Sequence, residues 1–182
     1  SAVKNGKCVD TSMGLTPLEG VIMGTRSGDI DPAFVEYLCN KENLTVSEVL
    51  NILNKKSGML GMTGISSDYR DVSAEAGNQD AINCLEAYAY RIIKYIGSYI
   101  AAMGGVDVIT FTAGLGENAI PLRETICKAF EFMGLEFDSE ANNCRGVEKI
   151  ITKEGSKITA CVIPTNEEIA ICEETVELVK GK

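Results

Sequence analysis

The chain has 182 residues, of which 45% are hydrophobic and 24% are charged, and its formal net charge is -9. This is the composition of a folded globular protein with one sizeable core, and it excludes disorder, collagen and coiled coils. The acidic balance opposes nucleic-acid binding, which depends on clustered Lys and Arg. The longest uncharged stretch, residues 95–106, is too short to span a membrane, and the first residues lack an apolar signal sequence. We therefore expect one domain over residues 1–182, in the cytoplasm, with neither nucleic acid nor membrane as a partner.

The chain contains seven cysteines and no histidine. The cysteines lack C-x-x-C spacing and mostly lie in apolar runs, so they are predicted to be buried thiols in a reducing compartment rather than zinc ligands or disulfides. Histidine is the side chain most often used for proton transfer near neutral pH. Any reaction performed by this chain alone must therefore proceed without it.

The first elements are predicted from turn and capping residues. Asn5 and Gly6 form the favoured two-residue turn of a hairpin over residues 2–9. The segment T-P-L-E that begins at Thr16 has the spacing of a capping box with proline at the first helical position, which predicts a short helix there. An N-cap and proline at 31–32 predict a helix through about residue 39, and the capping box that begins at Thr45 predicts the next helix.

Glycines then separate a loop from the longest helix. Residues 57–64 are rich in glycine and predict an ordered loop. Apolar residues recur at three- and four-residue steps from Ile82 to Met103, and Gly104 and Gly105 follow. This stretch therefore predicts a long helix that ends at the glycine pair.

The second half of the chain alternates predicted strands and helices, which indicates an α/β layer architecture. Residues 106–112 are β-branched and aromatic and predict a strand, which a glycine-containing turn at 113–118 connects to a helix from about Pro121 to Met133. A weaker region follows Gly134. Residues 158–163 predict a further strand, and a closing helix is expected to run to about Lys180.

The first candidate site is the turn that contains Gly114, Leu115 and Gly116, between a predicted strand and a predicted helix. Unhindered backbone at such a position lets a nucleotide approach, and a helix N-terminus favours an anion. A plain tight turn is the alternative. The third glycine of the dinucleotide fingerprint is absent, which disfavours nicotinamide chemistry, and the absence of G-K-[ST] excludes a P-loop.

The second candidate site is the predicted start of the last helix. If Thr165 is the N-cap, Glu168 occupies the third helical position and completes a capping box, which leaves Glu167 without a structural role. A single carboxylate beside a phosphate site typically holds Mg²⁺ through water. The alternative is that Glu167 only complements the helix dipole.

The third candidate is Arg26, which lies between two glycines in a long loop. Its planar, permanently charged guanidinium suits recognition of a phosphoryl group or a carboxylate. A surface arginine paired with Asp29 or Asp31 is the alternative.

A fourth candidate segment consists of Asp68, Tyr69 and Arg70. These residues fit a helix cap followed by an aromatic packing residue. They also fit a shelf for the base and ribose of a nucleotide.

Five segments, in this order, resemble the carboxyl-terminal part of acetate kinase. They are D-T-S-M-G-L-T-P-L-E-G at 10–20, M-G-T-R-S-G-D-I-D-P at 23–32, N-K-K-S-G at 54–58, F-T-A-G-L-G-E-N at 111–118 and P-T-N-E-E at 164–168. The resemblance implies one α/β lobe, a mixed sheet flanked by helices, of the two-lobed actin-like (ribonuclease H-like) fold shared by acetate and sugar kinases, the heat-shock ATPase domain and actin. It also implies reversible transfer of the γ-phosphoryl group of ATP to a short-chain carboxylate, giving an acyl phosphate and ADP.

The resemblance assigns roles to the candidate residues. Arg26 is similar to the arginine that contacts the carboxylate and stabilises the phosphoryl group in transfer, and Glu167 is similar to the carboxylate that helps to hold Mg²⁺. The residues that resemble the nucleotide-binding segments are Asp68, Tyr69 and Arg70 on the adenosine side, and Gly114, Leu115, Gly116, Glu117 and Asn118 under the adenine and ribose.

Two parts of the family pattern do not occur in this chain. One is the phosphate-binding segment H-x-G-N-G, expected just before Ser1, and the other is the amino-terminal lobe with its metal-binding and catalytic residues. We therefore expect the chain by itself to be inactive, with the amino-terminal lobe as a partner and a homodimer formed through this lobe. A propionate kinase lobe, or an α/β nucleotide-binding or interaction module without catalysis, remains as an alternative.

Overall fold

The computed structural model describes residues 1–181, and the chain divides into two compact units, Ser1–Gly105 and Val106–Lys182. The expectation that residues 1–182 form a single domain stays a prediction. In the part of the chain that is described, no helix is both long and apolar enough to cross a membrane.

The first unit combines one hairpin with five helices. Its elements are β1 (Ala2–Lys4), β2 (Lys7–Asp10), α1 (Ala33–Glu42), α2 (Val46–Lys55), α3 (Gly58–Thr63), α4 (Tyr69–Ala74) and α5 (Gln79–Met103). The hairpin is antiparallel, and its turn residues Asn5 and Gly6 both have the positive φ angles that the predicted turn requires. The predicted capping box of Thr45 and Glu48 is present at the start of α2.

The long helix α5 supplies much of the core of this unit. Its buried side chains recur along one face, and Val49, Leu53, Met59 and Val72 from the shorter helices are also buried. Gly104 ends the helix in the left-handed conformation, as predicted.

Two local predictions in this unit are wrong. No helix begins at Thr16, whose side chain accepts a hydrogen bond only from the Leu18 amide and closes a short turn. Residues 57–64 are not a loop, because α3 occupies most of them. Its first turn is held by tertiary hydrogen bonds, in which the amides of Met59 and Leu60 donate to the carbonyls of residues 23 and 24.

The second unit is a small mixed sheet flanked by helices. Its elements are β3 (Val108–Phe111), α6 (Ala113–Asn118), α7 (Ile120–Lys128), a 3₁₀ turn (Glu131–Met133), β4 (Lys149–Ile150), β5 (Thr159–Val162) and α8 (Glu167–Lys180). The strand order is β3-β5-β4, with β5 parallel to β3 and antiparallel to β4. The buried residues Ile109, Phe111, Ile126, Ala160 and Val162 lie in this sheet and in α7.

The second unit departs from two predictions. The turn expected at 113–118 is the short helix α6, and the helix expected to reach Met133 ends at Lys128 and continues as the 3₁₀ turn. The prediction that the cysteines are buried holds for only part of them. Only Cys84 and Cys127 are buried, whereas Cys8 and Cys172 are exposed.

Candidate functional site

In the first unit, backbone hydrogen bonds hold the loop that carries Arg26 against the end of α2 and the start of α3. The Ser27 amide donates to the carbonyl of Leu53 at 3.0 Å, and the Ser57 amide donates to the carbonyl of Thr25 at 2.9 Å. The Thr25 hydroxyl also donates to a carbonyl at the end of α2. Arg26 is therefore presented from a fixed backbone rather than from a loose loop.

Glycines permit this close approach. Gly58 has a φ of 62, in the left-handed region that residues other than glycine rarely adopt, and a Cβ atom at this position would clash with the Met23 carbonyl oxygen. At Gly24 a Cβ atom would lie 2.5 Å from the carbonyl oxygen of Ser67. The glycine content that obscured α3 in the sequence is what lets the Arg26 loop pack onto it.

An open pocket of about 250 Å³ lies at this loop. Its lining residues are Met23, Gly24, Thr25, Arg26, Lys55 and Ser67. Among residues 1–181, neither Arg26 nor Lys55 forms an ion pair, so the pocket presents two cationic side chains without a carboxylate. Lys55 was missed in the sequence, although it lies in one of the five resembling segments, because only the fold brings the end of α2 to Arg26.

Asp29 and Asp31, the acidic neighbours of Arg26 in the sequence, have other partners. Asp29 accepts hydrogen bonds from the Gly20 amide at 2.8 Å and from the Tyr95 hydroxyl at 2.5 Å, and it forms an ion pair with Arg91 at 3.3 Å. Burial, followed by the hydrogen bond to Asp29, raises the pKa of Tyr95. Asp31 accepts from the backbone at the start of α1. The acidic neighbours of Arg26 thus anchor the loop and leave its charge available.

The segment of Asp68, Tyr69 and Arg70 forms a helix cap and a packing contact. Asp68 is the N-cap of α4 and accepts from the Arg70 amide, and its carboxylate lies 2.6 Å from the Arg70 guanidinium. These hydrogen bonds lower the pKa of Asp68 to about 2. The Tyr69 ring packs at 6.1 Å from the ring of Tyr88. The role of this segment as a nucleotide shelf stays a prediction.

In the second unit, the segment 114–118 forms α6 directly after β3. A Cβ atom at Gly114 would meet nothing within 4 Å, so this part of the backbone is open to a ligand. At Gly116 a Cβ atom would lie 3.0 Å from the backbone of Phe111, so this glycine serves packing. The side-chain nitrogen of Asn118, Nδ2, donates to the Gly114 carbonyl at 2.9 Å and closes the turn. Leu115, within this turn, is half-buried.

A buried arginine, Arg123, donates a hydrogen bond to the backbone of α6. Arg123 is fully buried, and its guanidinium donates to the carbonyl of Gly116 at 2.9 Å, to the side chain and backbone of Asn142 at 2.8 and 2.9 Å, and to the carbonyl of Cys144 at 2.8 Å. Burial lowers the pKa of Arg123 from its ordinary value. No carboxylate in residues 1–181 forms an ion pair with it. Sequence patterns gave no signal for this residue, because its partners are mostly backbone carbonyls.

The start of α8 differs from the predicted cap. The N-cap is Asn166, whose side chain accepts from the Ile169 amide, and Thr165 is not a cap. The backbone amide and hydroxyl of Thr165 both donate to the carboxylate of Glu117, at 2.9 and 3.1 Å. Glu168 therefore completes no capping box with Thr165, and Glu167 is an exposed residue in the first helical turn.

The donor set at this position suits a Mg²⁺ ion that is only partly held by protein. In the described residues 1–181, no group of three or more acidic or cysteine side chains lies close enough to hold a metal by itself. Mg²⁺ keeps several waters and is usually bound by one or two carboxylates together with substrate phosphates. A single exposed carboxylate such as that of Glu167 fits this kind of site.

Comparison with solved structures defines the class of protein. The chain is similar to the crystal structure of acetate kinase from Porphyromonas gingivalis, with 48% identity and a TM-score of 0.92 over 97% of this chain and 45% of that chain. It is also similar to a propionate kinase from Francisella tularensis, with 40% identity and a TM-score of 0.84 over 91% of this chain and 43% of that chain. The α/β architecture is that of one lobe of an actin-like ATPase fold, as the resemblance implied.

Sequence comparison then identifies the family. Residues 1–173 match the Acetokinase family, and the chain belongs to it. The chain is 60% identical over 181 residues to the acetate kinase of Lachnoclostridium phytofermentans, covering 98% of this chain and 46% of that protein. It therefore spans about half the length of the curated relatives that it matches.

Proposed function

We propose that this chain is the carboxyl-terminal, nucleotide-binding lobe of a kinase that transfers the γ-phosphoryl group of ATP reversibly to acetate. The observation that carries the proposal is the family match over residues 1–173. The amino-terminal lobe is the partner that would supply the histidine and the metal-binding and catalytic residues that this chain lacks. The isolated chain is therefore proposed to be inactive.

The cationic pocket in the first unit supports a role for Arg26 at the transferred group. Phosphoryl transfer places charge on the equatorial oxygens of the phosphoryl group, and catalysis consists mostly of positioning and electrostatic stabilisation. The backbone that carries the Arg26 guanidinium is held by hydrogen bonds, and no carboxylate among residues 1–181 forms an ion pair with it, so its charge is available to such a group. Lys55 adds a second cation to the same pocket.

The second unit supports nucleotide binding at the open backbone of α6. Residues Gly114, Leu115, Gly116, Glu117 and Asn118 are proposed to lie under the adenine and ribose, and Asp68, Tyr69 and Arg70 to line the adenosine. Glu167 would hold Mg²⁺, which when bound supplies positive charge to the β- and γ-phosphates. The exposed position of Glu167 in the first turn of α8 leaves its carboxylate accessible for that role.

A propionate kinase is the second candidate, because the solved propionate kinase shares this fold at 40% identity. Turnover of acetate, propionate and butyrate by the full-length protein separates the two. A strong preference for the longer acids would overturn the assignment to acetate.

The proposed function is tested with Arg26→Ala in the full-length protein that carries this chain. Acetyl phosphate formation from ATP and acetate is expected to fall about 10²–10³-fold, the usual loss when one stabilising donor is removed. Arg145→Ala is the matched control, because Arg145 is an exposed arginine outside the pocket. Wild-type turnover with equal activity in Arg26→Ala would refute the role of Arg26, and an inactive wild type would refute the proposed function.

The association state is a separate proposal. We expect a homodimer formed through this lobe, and sedimentation of the 182-residue chain measures it. A chain that sediments only as a monomer would contradict a dimer held by this lobe alone.

A further inference from the structure

The carboxylate of Glu117 faces the start of α8. One of its oxygens, Oε1, accepts both the amide of Thr165 at 2.9 Å and the hydroxyl of Thr165 at 3.1 Å. The two residues are 48 positions apart in sequence. The contact is therefore a tertiary link between α6, proposed to bind nucleotide, and the residue just before the N-cap of α8, whose first turn contains Glu167.

Both ends of this link are themselves held. On one side, the carbonyl of Gly116 accepts from the buried Arg123, and the Asn118 side chain closes the turn of α6. On the other side, the Asn166 side chain caps α8 by accepting from the Ile169 amide, which holds the first turn of the helix. Glu167 follows Thr165 by two residues, so a displacement of Thr165 would carry Glu167 with it.

We infer that Glu117 is a positioning residue, whose side chain sets the place of Glu167 relative to the nucleotide segment and thereby couples metal binding to nucleotide binding. The inference rests on the proposed function, since it takes α6 as the nucleotide segment and Glu167 as the metal carboxylate. The backbone of Glu117 belongs to the nucleotide segment, whereas its carboxylate is used for the link. Groups that orient a metal ligand typically contribute 10–100-fold to metal affinity or activity.

Three variants of the full-length protein test this inference. Glu117→Ala removes the acceptor of both hydrogen bonds, whereas Glu117→Gln keeps a side-chain oxygen that accepts from the Thr165 amide. Glu148→Ala is the matched control, because Glu148 is an exposed glutamate of the same unit that lies outside these contacts. Calorimetry measures the affinity for ADP in EDTA, and then the affinity for Mg²⁺ at saturating ADP.

We expect Glu117→Ala to weaken Mg²⁺ binding at saturating ADP about 10-fold or more, and to weaken it by a larger factor than it weakens metal-free ADP binding. Glu117→Gln should restore Mg²⁺ binding to within about threefold of the wild type, because the geometry of the link survives. A general loss of structure would weaken both affinities together, so the split between them identifies positioning.

Each other outcome overturns the inference for a stated reason. A loss of metal-free ADP affinity in Glu117→Ala as large as the loss of Mg²⁺ affinity would mean that the side chain acts on the nucleotide or on the fold as a whole and does not position Glu167. Equal loss of Mg²⁺ affinity in the Ala and Gln variants would make the carboxylate a direct metal ligand. Unchanged Mg²⁺ affinity would show that the link has no functional effect, and absence of ADP binding in the wild type would refute the proposed function on which the inference rests.

Discussion

Replacing Arg123 by methionine tests whether this buried cation holds the second unit together. The substitution keeps a long apolar stem and removes the guanidinium that donates to Gly116, Asn142 and Cys144. Gly116 and Cys144 are half-buried residues, whereas Asn142 is only 1% exposed. The two acceptors of Asn142 are therefore the groups that would lose their hydrogen bonds without replacement.

The expected loss of stability follows from these two acceptors. Each buried acceptor that is left without a donor costs about 1–3 kcal/mol. Removing the buried charge offsets part of this loss of stability, because the desolvation penalty of the guanidinium disappears. We expect a net loss of about 2–4 kcal/mol, a large share of the roughly 5–15 kcal/mol that stabilises a typical protein.

Amide hydrogen exchange measures this loss separately for each unit. Protection of the β3 and β5 amides should fall in Arg123→Met, while protection of α5 in the first unit serves as an internal reference. Arg123→Lys should lose nearly as much, because an ammonium group cannot reproduce the forked donors of the guanidinium. Arg145→Met is the control, because Arg145 is an exposed arginine of the same unit, and it should change protection by less than about 0.5 kcal/mol. Equal protection in wild type and Arg123→Met would refute the reasoning.

Three further outcomes are expected. In urea unfolding, Gly58→Ala should destabilise the first unit by well over the roughly 1–2 kcal/mol that a left-handed conformation costs, because the new Cβ atom would clash with a backbone carbonyl. Gly64→Ala should show only that conformational cost, because Gly64 has a φ of 66 and a Cβ atom there would meet nothing within 4 Å. By NMR, the Asp68 carboxyl should titrate with a pKa of about 2, and this pKa should return toward 3.8 in Arg70→Met. Because the pKa is lowered in the folded state, the stabilisation from the Asp68–Arg70 interaction should be complete above about pH 4 and should be lost as the pH falls through about 2. Cys127, whose pKa burial raises to about 12, should resist iodoacetamide at pH 8 until the protein is denatured.

Elements whose signals are local were predicted correctly from the sequence. The turn of Asn5 and Gly6 and the capping box at Thr45 each lie within a few residues, and Gly104 ends a helix whose apolar period is complete in itself. The helix expected at Thr16 failed for the opposite reason. The Thr16 side chain does accept from the Leu18 amide, but the Gly20 amide that follows donates to the distant carboxylate of Asp29 rather than within a helix.

Helices rich in glycine were missed because tertiary contacts stabilise them. In α3 the glycines lower helix propensity, but they allow the close approach to the Arg26 loop and the hydrogen bonds that hold the first turn. In α6 the same composition suggested a turn, yet a Cβ atom at Gly116 would press on the backbone of Phe111. In both cases glycine serves close packing rather than flexibility.

The candidate residues divide in the same way. Arg26 and Glu167 were proposed from residue type and from resemblance to known sequences, and their roles stay predictions. Lys55 and Arg123 were not proposed, because only the fold places one beside Arg26 and the other beneath Gly116.

The contact between Glu117 and Thr165 shows what the structure adds to a resemblance. The sequence places Glu117 in a nucleotide-binding segment and Thr165 in a helix cap, as two separate local features. In the folded chain the two residues contact each other, since the carboxylate of Glu117 accepts both donors of Thr165, and Asn166 caps the helix instead. A cap formed by Asn166 leaves Thr165 outside the helix, where its amide is available for a tertiary bond. The one-residue shift of the cap is therefore the local change that allows α6 and the start of α8 to be joined.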